Sequence, residues 1–277
     1  MKIKLIYDAN DAQWPAVAQQ IELEGDTITE EEPELELDLR TETLPLQGLQ
    51  ALGYETVSGV PEFYACRWFD GEWHSQEFLG VRVCGVMNEN LGWDVPTGFG
   101  GFYHRSGFEW KPELASVLKQ MKVRNFVSIG LTSDLKVTGL QTGIPFPGLF
   151  CVLEGIPCRL GEWLAGPREI LESATVSVAV TRSPFPYQGQ DKKVLVDGLS
   201  MSVLKHLWLP FTRRFRKGWF TESTLVGVAS GWAKDWSGAN WRALVSCRAV
   251  GVLQKQYRTD IGAQVRISFS RIGKMIA

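Results

Sequence analysis

An α+β fold is predicted by three features of this sequence. Strand-like alternation and helix-like periodicity are mixed without a strict βα repeat, an Asp70-Gly71 turn separates two apolar runs, and Leu114, Val117, Leu118 and Met121 recur at helical spacing behind Pro112. The expected architecture is a central antiparallel sheet flanked by helices, with a small C-terminal α/β lobe. At 277 residues and 44% hydrophobic content, the chain can bury one large core or two smaller ones.

Each element has its own signal. The opening KIKLIYD alternates as a strand does, and residues 11–25 are expected to hold a short helix that tolerates a proline in its first turn. PELELDLRTETLPLQ alternates charged and apolar residues and predicts a half-buried strand with an acidic face. From Val60, strand, turn and strand follow, because Asp-Gly favours the positive dihedrals of a two-residue hairpin loop. A helix begins at Pro112, where a missing backbone N–H costs nothing.

NFVSIGLTSDLKVTGLQTG then predicts two strands around TSDL, and an apolar helix is expected over roughly 148–165. SATVSVAVTRSPFPY begins as a buried strand and stops at its prolines. The last eighty or so residues predict a strand, a turn between Gly231 and Gly238, a helix, and a terminal strand AQVRISFS.

Lys and Arg total 29 against 31 Asp and Glu, so the net field argues for neither nucleic acid nor an anionic membrane as partner. Charge is uneven, however. Glu22 to Glu42 is acidic, while Arg213, Arg214, Arg216 and Lys217 cluster and suggest either a solvated turn or a site for a phosphate or an acidic protein partner. No apolar run reaches membrane-spanning length and no signal peptide is evident, so the cytoplasm is the expected compartment. The five cysteines lack C-x-x-C spacing and read as buried thiols. His74, His104 and His206 read as isolated, and the eleven tryptophans as core, with a partner or nucleobase surface as the alternative for those in the last lobe. No G-x-S-x-G or G-K-[ST] motif is present.

The segment MNENLGWDVPTGFGGFYHR, residues 87–105, gathers Asn90, Gly92, Thr97, Gly98 and Gly101 around a Trp-Asp-Val-Pro insert. Such a composition suits a loop whose backbone N–H groups approach an anion.

The order of WFDGEWH, MNENLGWDVPTGFGG, a helix, SIGLTSDLKVTGLQT, LFCVLEG and VSVAVTRSPFPY resembles the second half of phosphoribosylamine-glycine ligase, an ATP-grasp enzyme, and LVGVASGW with YRTDIG is similar to that family's end. The resemblance implies an ATP-grasp-like core over 54–175, a family-like C-terminal lobe over 176–277 and a divergent segment over 1–53, with the usual front half truncated. It also implies that the metal ligands occupy a strand of the form Leu-Glu-Phe-Asn-x-Arg. Aligned on TGLQTG, that pattern meets Gly139 in place of Glu, Gln141 in place of Asn and Gly143 in place of Arg. A glycine offers no side-chain ligand, and hard divalent cations require oxygen donors.

No metal site is therefore expected, with Asp134, Gln141 and Glu154 as the substitutes to test, and no catalytic residue is assigned. The glycine-rich loop departs from the family's Leu-Gly-Pro-Asn-Thr-Gly by a two-residue insertion, although Thr97, Gly98 and Gly101 match. Arg258 and Asp260, in YRTDIG, are expected either to pair structurally or to hold a substrate phosphate. The expected function is a catalytically degenerate relative that binds a nucleotide, a ribose phosphate or a protein. The alternatives are an active ligase using ATP and Mg²⁺ with rearranged ligands or a partner subunit, and a phage or mobile-element interaction protein of unrelated fold.

Overall fold

The computed structural model describes residues 1–8, 14–85, 95–103, 108–156, 158–164, 173–187 and 193–272. At the N-terminus, β1 (Lys2–Ile6), α1 (Trp14–Leu23), β2 (Thr27–Ile28) and β3 (Leu35–Asp38) build a small parallel sheet in the order β2-β1-β3. Alternation along β1 buries Ile3 and Leu5, and α1 buries Val17 and Ile21 one turn apart. The Met1 ammonium holds Asp26 at 2.9 Å.

The acidic run expected as one strand divides. β3 pairs with β1, whereas β4 (Thr43–Leu44) pairs with the large sheet, and Pro45 then precedes α2 (Leu46–Ala51). Between them the Arg40 carbonyl accepts from Asn125 Nδ2 at 3.1 Å and from Thr142 Oγ1 at 3.0 Å, which pins the crossing between sheets.

The large sheet is built from β5 (Phe63–Phe69), β6 (Trp73–Cys84), β7 (Pro96–Tyr103), β8 (Asn125–Leu131) and β9 (Val137–Thr142), with α3 (Pro112–Gln120) between β7 and β8. After β9 come α4 (Gly148–Glu154), α5 (Leu160–Leu164) and β10 (Ala174–Arg182). Next are β11 (Val194–Asp197), α6 (Met201–Leu204), β12 (Leu207–Trp208), β13 (Thr212–Phe215), β14 (Gly218–Thr221) and β15 (Leu225–Ala233). The chain closes with α7 (Trp236–Ala249), β16 (Gly251–Val252), β17 (Lys255–Gln256) and α8 (Ile261–Ile272).

The large sheet runs β12-β15-β10-β7-β6-β5-β8-β9-β4, with β17 beside β10, and its pairings are antiparallel. A smaller antiparallel sheet runs β13-β14-β11-β16. The boundary expected at 175/176 falls inside β10, which pairs continuously with β7 and β15. Gly71, at φ 104°, turns the β5–β6 hairpin, but Phe69 pairs with Trp73, so Asp70, Gly71 and Glu72 all lie in the loop.

Each face of the sheet has a core. Leu114, Leu118, Ala239, Ala243, Ile261 and Val265 from α3, α7 and α8 cover Phe63, Leu79, Val127 and Val176. Phe150, Trp163 and the N-terminal Ile3 and Leu5 cover Cys66, Trp68, Phe78 and Phe99 on the other face.

Two further element expectations are corrected. The segment AQVRISFS belongs to helix α8. Ile261, Val265 and Phe269 are buried at four-residue spacing, while Ile267, which strand alternation would bury, is 46% exposed. The expected helix over 148–165 divides into α4, which ends before Gly155, and α5, whose Leu160 N–H donates to Glu24 Oε2 at 2.9 Å. No disulfide joins the cysteines; Cys66, Cys151 and Cys247 are buried. Among the described residues, no helix is long and apolar enough to cross a membrane.

Candidate functional site

Register brings one set of residues together on the second face of the sheet. Tyr64 on β5 stands opposite Gly130 on β8, Gly130 opposite Gly139 on β9, and Ser128 opposite Gln141. Arg82, two residues beyond the Gly80 that pairs with Tyr64, projects beside them. With Thr43, the loop Gly59 to Pro61 and Thr138, these residues line a cleft of about 370 Å³.

The cleft is short of side chains where β8 and β9 cross it. A Cβ on Gly139 would meet nothing within 4 Å, whereas one on Gly130 would meet Thr138 Oγ1 at 2.6 Å. Arg82 is the charged residue among the described lining residues, with its guanidinium carbon 5.9 Å from the Tyr64 ring centroid. Burial pushes the Tyr64 phenol above its ordinary value, and Arg82 partly offsets that rise. The Ser128 hydroxyl donates to the Gly143 carbonyl at 2.7 Å. Thr138 Oγ1 is buried and has no hydrogen-bond partner among the described residues.

The donor set decides what the cleft can hold. It supplies one cation and neutral oxygens from Tyr64, Thr138 and Gln141, and no carboxylate among the described residues. A Mg²⁺ ion, which needs hard and preferably anionic oxygens, does not fit that set; a small anion does.

Of the sequence-nominated metal ligands, only Gln141 lines the cleft. Asp134 lies in the turn between β8 and β9, exposed, bonded to Thr132 and 3.6 Å from Lys136; the Thr132 hydroxyl holds its carboxyl below the ordinary value. Glu154, at the end of α4, is buried and bonded to His206 Nδ1 at 2.6 Å. Burial raises the Glu154 pKa, and the bond to Glu154 raises that of His206. Among the described residues, no group of three or more His, Cys, Asp or Glu is assembled for a metal ion.

Asn90 and Gly92 lie outside the described residues. Thr97, Gly98 and Gly101 do not form a loop: they sit in β7, inside the sheet between β6 and β10. Gly98 and Gly101 pair with both neighbouring strands, and their lack of bulk serves packing, while Thr97 falls at a register shift between β6 and β7. A Cβ on Gly98 would meet Ile261 at 2.4 Å, and one on Gly101 would meet the Leu79 carbonyl at 2.3 Å. Thr97 Oγ1 donates to the Gly85 carbonyl at 2.7 Å.

Arg258 and Asp260 pair bidentately, with Nε to Oδ1 at 2.8 Å and Nη2 to Oδ2 at 2.6 Å. Arg258 Nη1 also donates to the Cys84 carbonyl at 2.7 Å, so its donors tie the end of β6 to the start of α8. Arg213, Arg214 and Arg216 are exposed on the β13–β14 hairpin, away from the cleft, with Arg214 over the Trp219 ring at 6.0 Å. Sequence reasoning missed Arg82, for which a lone arginine inside the apolar run FLGVRVCGV was the available signal, and it missed the Glu154–His206 pair, which had none.

No protein-family model matches the chain, and no curated protein does. Solved structures do. Phosphoribosylamine-glycine ligase from Thermotoga maritima superposes with a TM-score of 0.53 at 14% identity, over 74% of this chain and 56% of that one. The biotin carboxylase-beta-gamma-ATP complex from Campylobacter jejuni superposes with a TM-score of 0.43 at 10% identity, over 75% of this chain and 50% of that one. The chain thus spans about half the length of each. The fold is ATP-grasp-like, with the large antiparallel sheet and flanking helices of such ligases.

Proposed function

We propose that this ATP-grasp-like protein binds a small anionic ligand, a nucleotide or a ribose phosphate, in the Arg82–Tyr64 cleft, and that it does so without running a Mg²⁺-dependent ligase reaction. The observation that carries the reading is the opening at Gly139. At the position aligned with a metal-binding glutamate, the sheet presents empty space, and the charge beside it is the cation of Arg82. A phosphate or carboxylate finds there a charge-assisted donor in a partly desolvated setting. Regulation through ligand occupancy follows naturally for such a protein, and the cytoplasm is the compartment in which such ligands abound. The test is a thermal-shift screen of ATP, ADP, ribose 5-phosphate and inorganic phosphate with and without Mg²⁺. A ligand bound only by the folded state raises the melting temperature, and the rise here is independent of Mg²⁺.

A second reading, an ATP-dependent carboxylate-amine ligase, draws support from the fold shared with the Thermotoga maritima enzyme. It requires carboxylates that the described lining of the cleft lacks. Mg²⁺-dependent ATP hydrolysis abolished by Asp134→Ala or Glu154→Ala would favour it over the binding reading.

A further inference from the structure

The smaller sheet leaves one face open. Antiparallel register sets Arg213 opposite Phe220 and Leu195 opposite Phe220, so these three share a face with Phe215, two residues along β13. The opposite face carries Thr212, Val196 and Thr221, all buried. On the open face, Phe215 is 44% and Leu195 48% exposed. Phe215 and Phe220 meet edge to face with ring centroids 5.7 Å apart, and Lys193 Nζ lies 4.8 Å from the Phe215 centroid. Lys193, Arg213 and both rings border a hollow of about 260 Å³.

Charge is concentrated here against a near-neutral whole. Arg216 and Lys217, exposed at the hairpin tip, extend the cationic line beyond Arg213. The acid beside the hollow is Glu222, 3.9 Å from Lys193, with both side chains more than half exposed. Such a pair is weak, so Lys193 is available to another anion. Asp197 lies farther along β11 on the same face. Because β13 is an edge strand, its arginines also discourage edge-to-edge pairing. That role accounts for the charges but not for an exposed phenylalanine held under a lysine.

We propose that this face binds single-stranded nucleic acid, with bases stacked on Phe215 and Phe220 and phosphates held by Lys193 and Arg213. Aromatic faces flanked by cations accept any unpaired base, whereas bases in a duplex hide their faces inside the helix. The cationic line from Lys193 to the hairpin tip favours a strand over a lone nucleotide. This surface is separate from the Arg82 cleft, and neither reading depends on the other.

Fluorescence anisotropy with a labelled oligo-uridine strand tests the proposal, with a duplex of equal length and a uridine monophosphate competitor beside it. Single-strand binding is expected to fall about tenfold in Phe215→Ala with its salt dependence unchanged. Arg213→Gln and Lys193→Gln should each reduce the slope of log affinity against log salt by about 0.7. Phe215→Leu, which keeps apolar packing but removes the ring, covers the case in which Phe215→Ala fails to fold. Absence of binding at about 50 mM salt, equal affinity for the duplex, or wild-type affinity in the Phe215 and Arg213 variants would each overturn the proposal. So would displacement of the strand by uridine monophosphate at the strand's own concentration, or loss of strand binding in Arg82→Ala.

Discussion

The Arg82 guanidinium lies over the Tyr64 ring across the β5–β6 pair, its carbon 5.9 Å from the ring centroid, and no carboxylate is among the described residues that line the cleft with it. The ring fixes the guanidinium over the cleft and leaves its N–H donors for a ligand. Arg82→Ala is therefore expected to weaken anion binding by roughly 1.5–3 kcal/mol, the worth of a hydrogen bond to a charged group. Titration calorimetry of the ligand identified by thermal shift checks this. Undiminished affinity in a folded Arg82→Ala protein would remove Arg82 from the site.

The glycines divide into two kinds, and alanine substitution separates them. Gly139→Ala enters open space and should change stability by less than about 0.5 kcal/mol. Gly101→Ala drives a methyl against the Leu79 carbonyl and Phe78, and overpacking of this sort costs about 1–3 kcal/mol or more. Urea unfolding of both variants measures the contrast; equal losses would mean that the open space at Gly139 is misread. Gly139→Glu, which adds an anion to the cleft, should in turn weaken phosphate binding.

Arg258 joins β6 to α8 through Cys84 and Asp260, so Arg258→Ala should lower the melting temperature whether or not ligand is present. A loss of about 2 kcal/mol is expected for stranding these groups. Hydrogen bonds from Arg258 hold the Asp260 carboxyl below its ordinary 3.8. A depressed carboxyl contributes stability that is present above the unfolded value and lost as pH falls through the folded one, and that acid sensitivity should shrink in Arg258→Ala. Unchanged melting with a specific loss of ligand affinity would instead make Arg258 a ligand contact.

His206, held by Glu154 at 2.6 Å, has its pKa raised above the ordinary 6.5. A raised histidine contributes stability that is complete below 6.5 and disappears as pH climbs through the folded value. Chemical unfolding at pH 6 and pH 8.5 should reveal a loss on the alkaline side in the wild type and a smaller loss in Glu154→Gln, which removes both the buried carboxyl and the partner that raises His206. A pH dependence identical in the two proteins would count against the pair.

Much of the architecture was legible because local chemistry and tertiary packing agree. Asp70-Gly71 marked its hairpin, although the loop takes in Glu72 as well. Pro112 with Leu114 and Leu118 marked α3. Where α8 stands, alternation and helical spacing both fit Val265 and Phe269, and only the room left by Gly98 and Gly100 on β7 selects the helix. The candidate site was legible in one strand only. Gly139 and Gln141 came from a motif, but Tyr64 and Arg82 join them through pairings of β5 with β6 and β8, which local sequence does not encode. The glycines of β7 misled because a strand that must admit a helix has the same composition as a loop that must admit a phosphate.

The central claim is that the cleft attracts anions without a divalent ion, and titration calorimetry of ATP into the purified protein, with Mg²⁺ and then with a chelator, tests it most directly. The account predicts comparable affinity in both conditions, weakened in Arg82→Ala as above, with no accompanying ATP hydrolysis. Binding that appears only with Mg²⁺ and proceeds to ADP would contradict it.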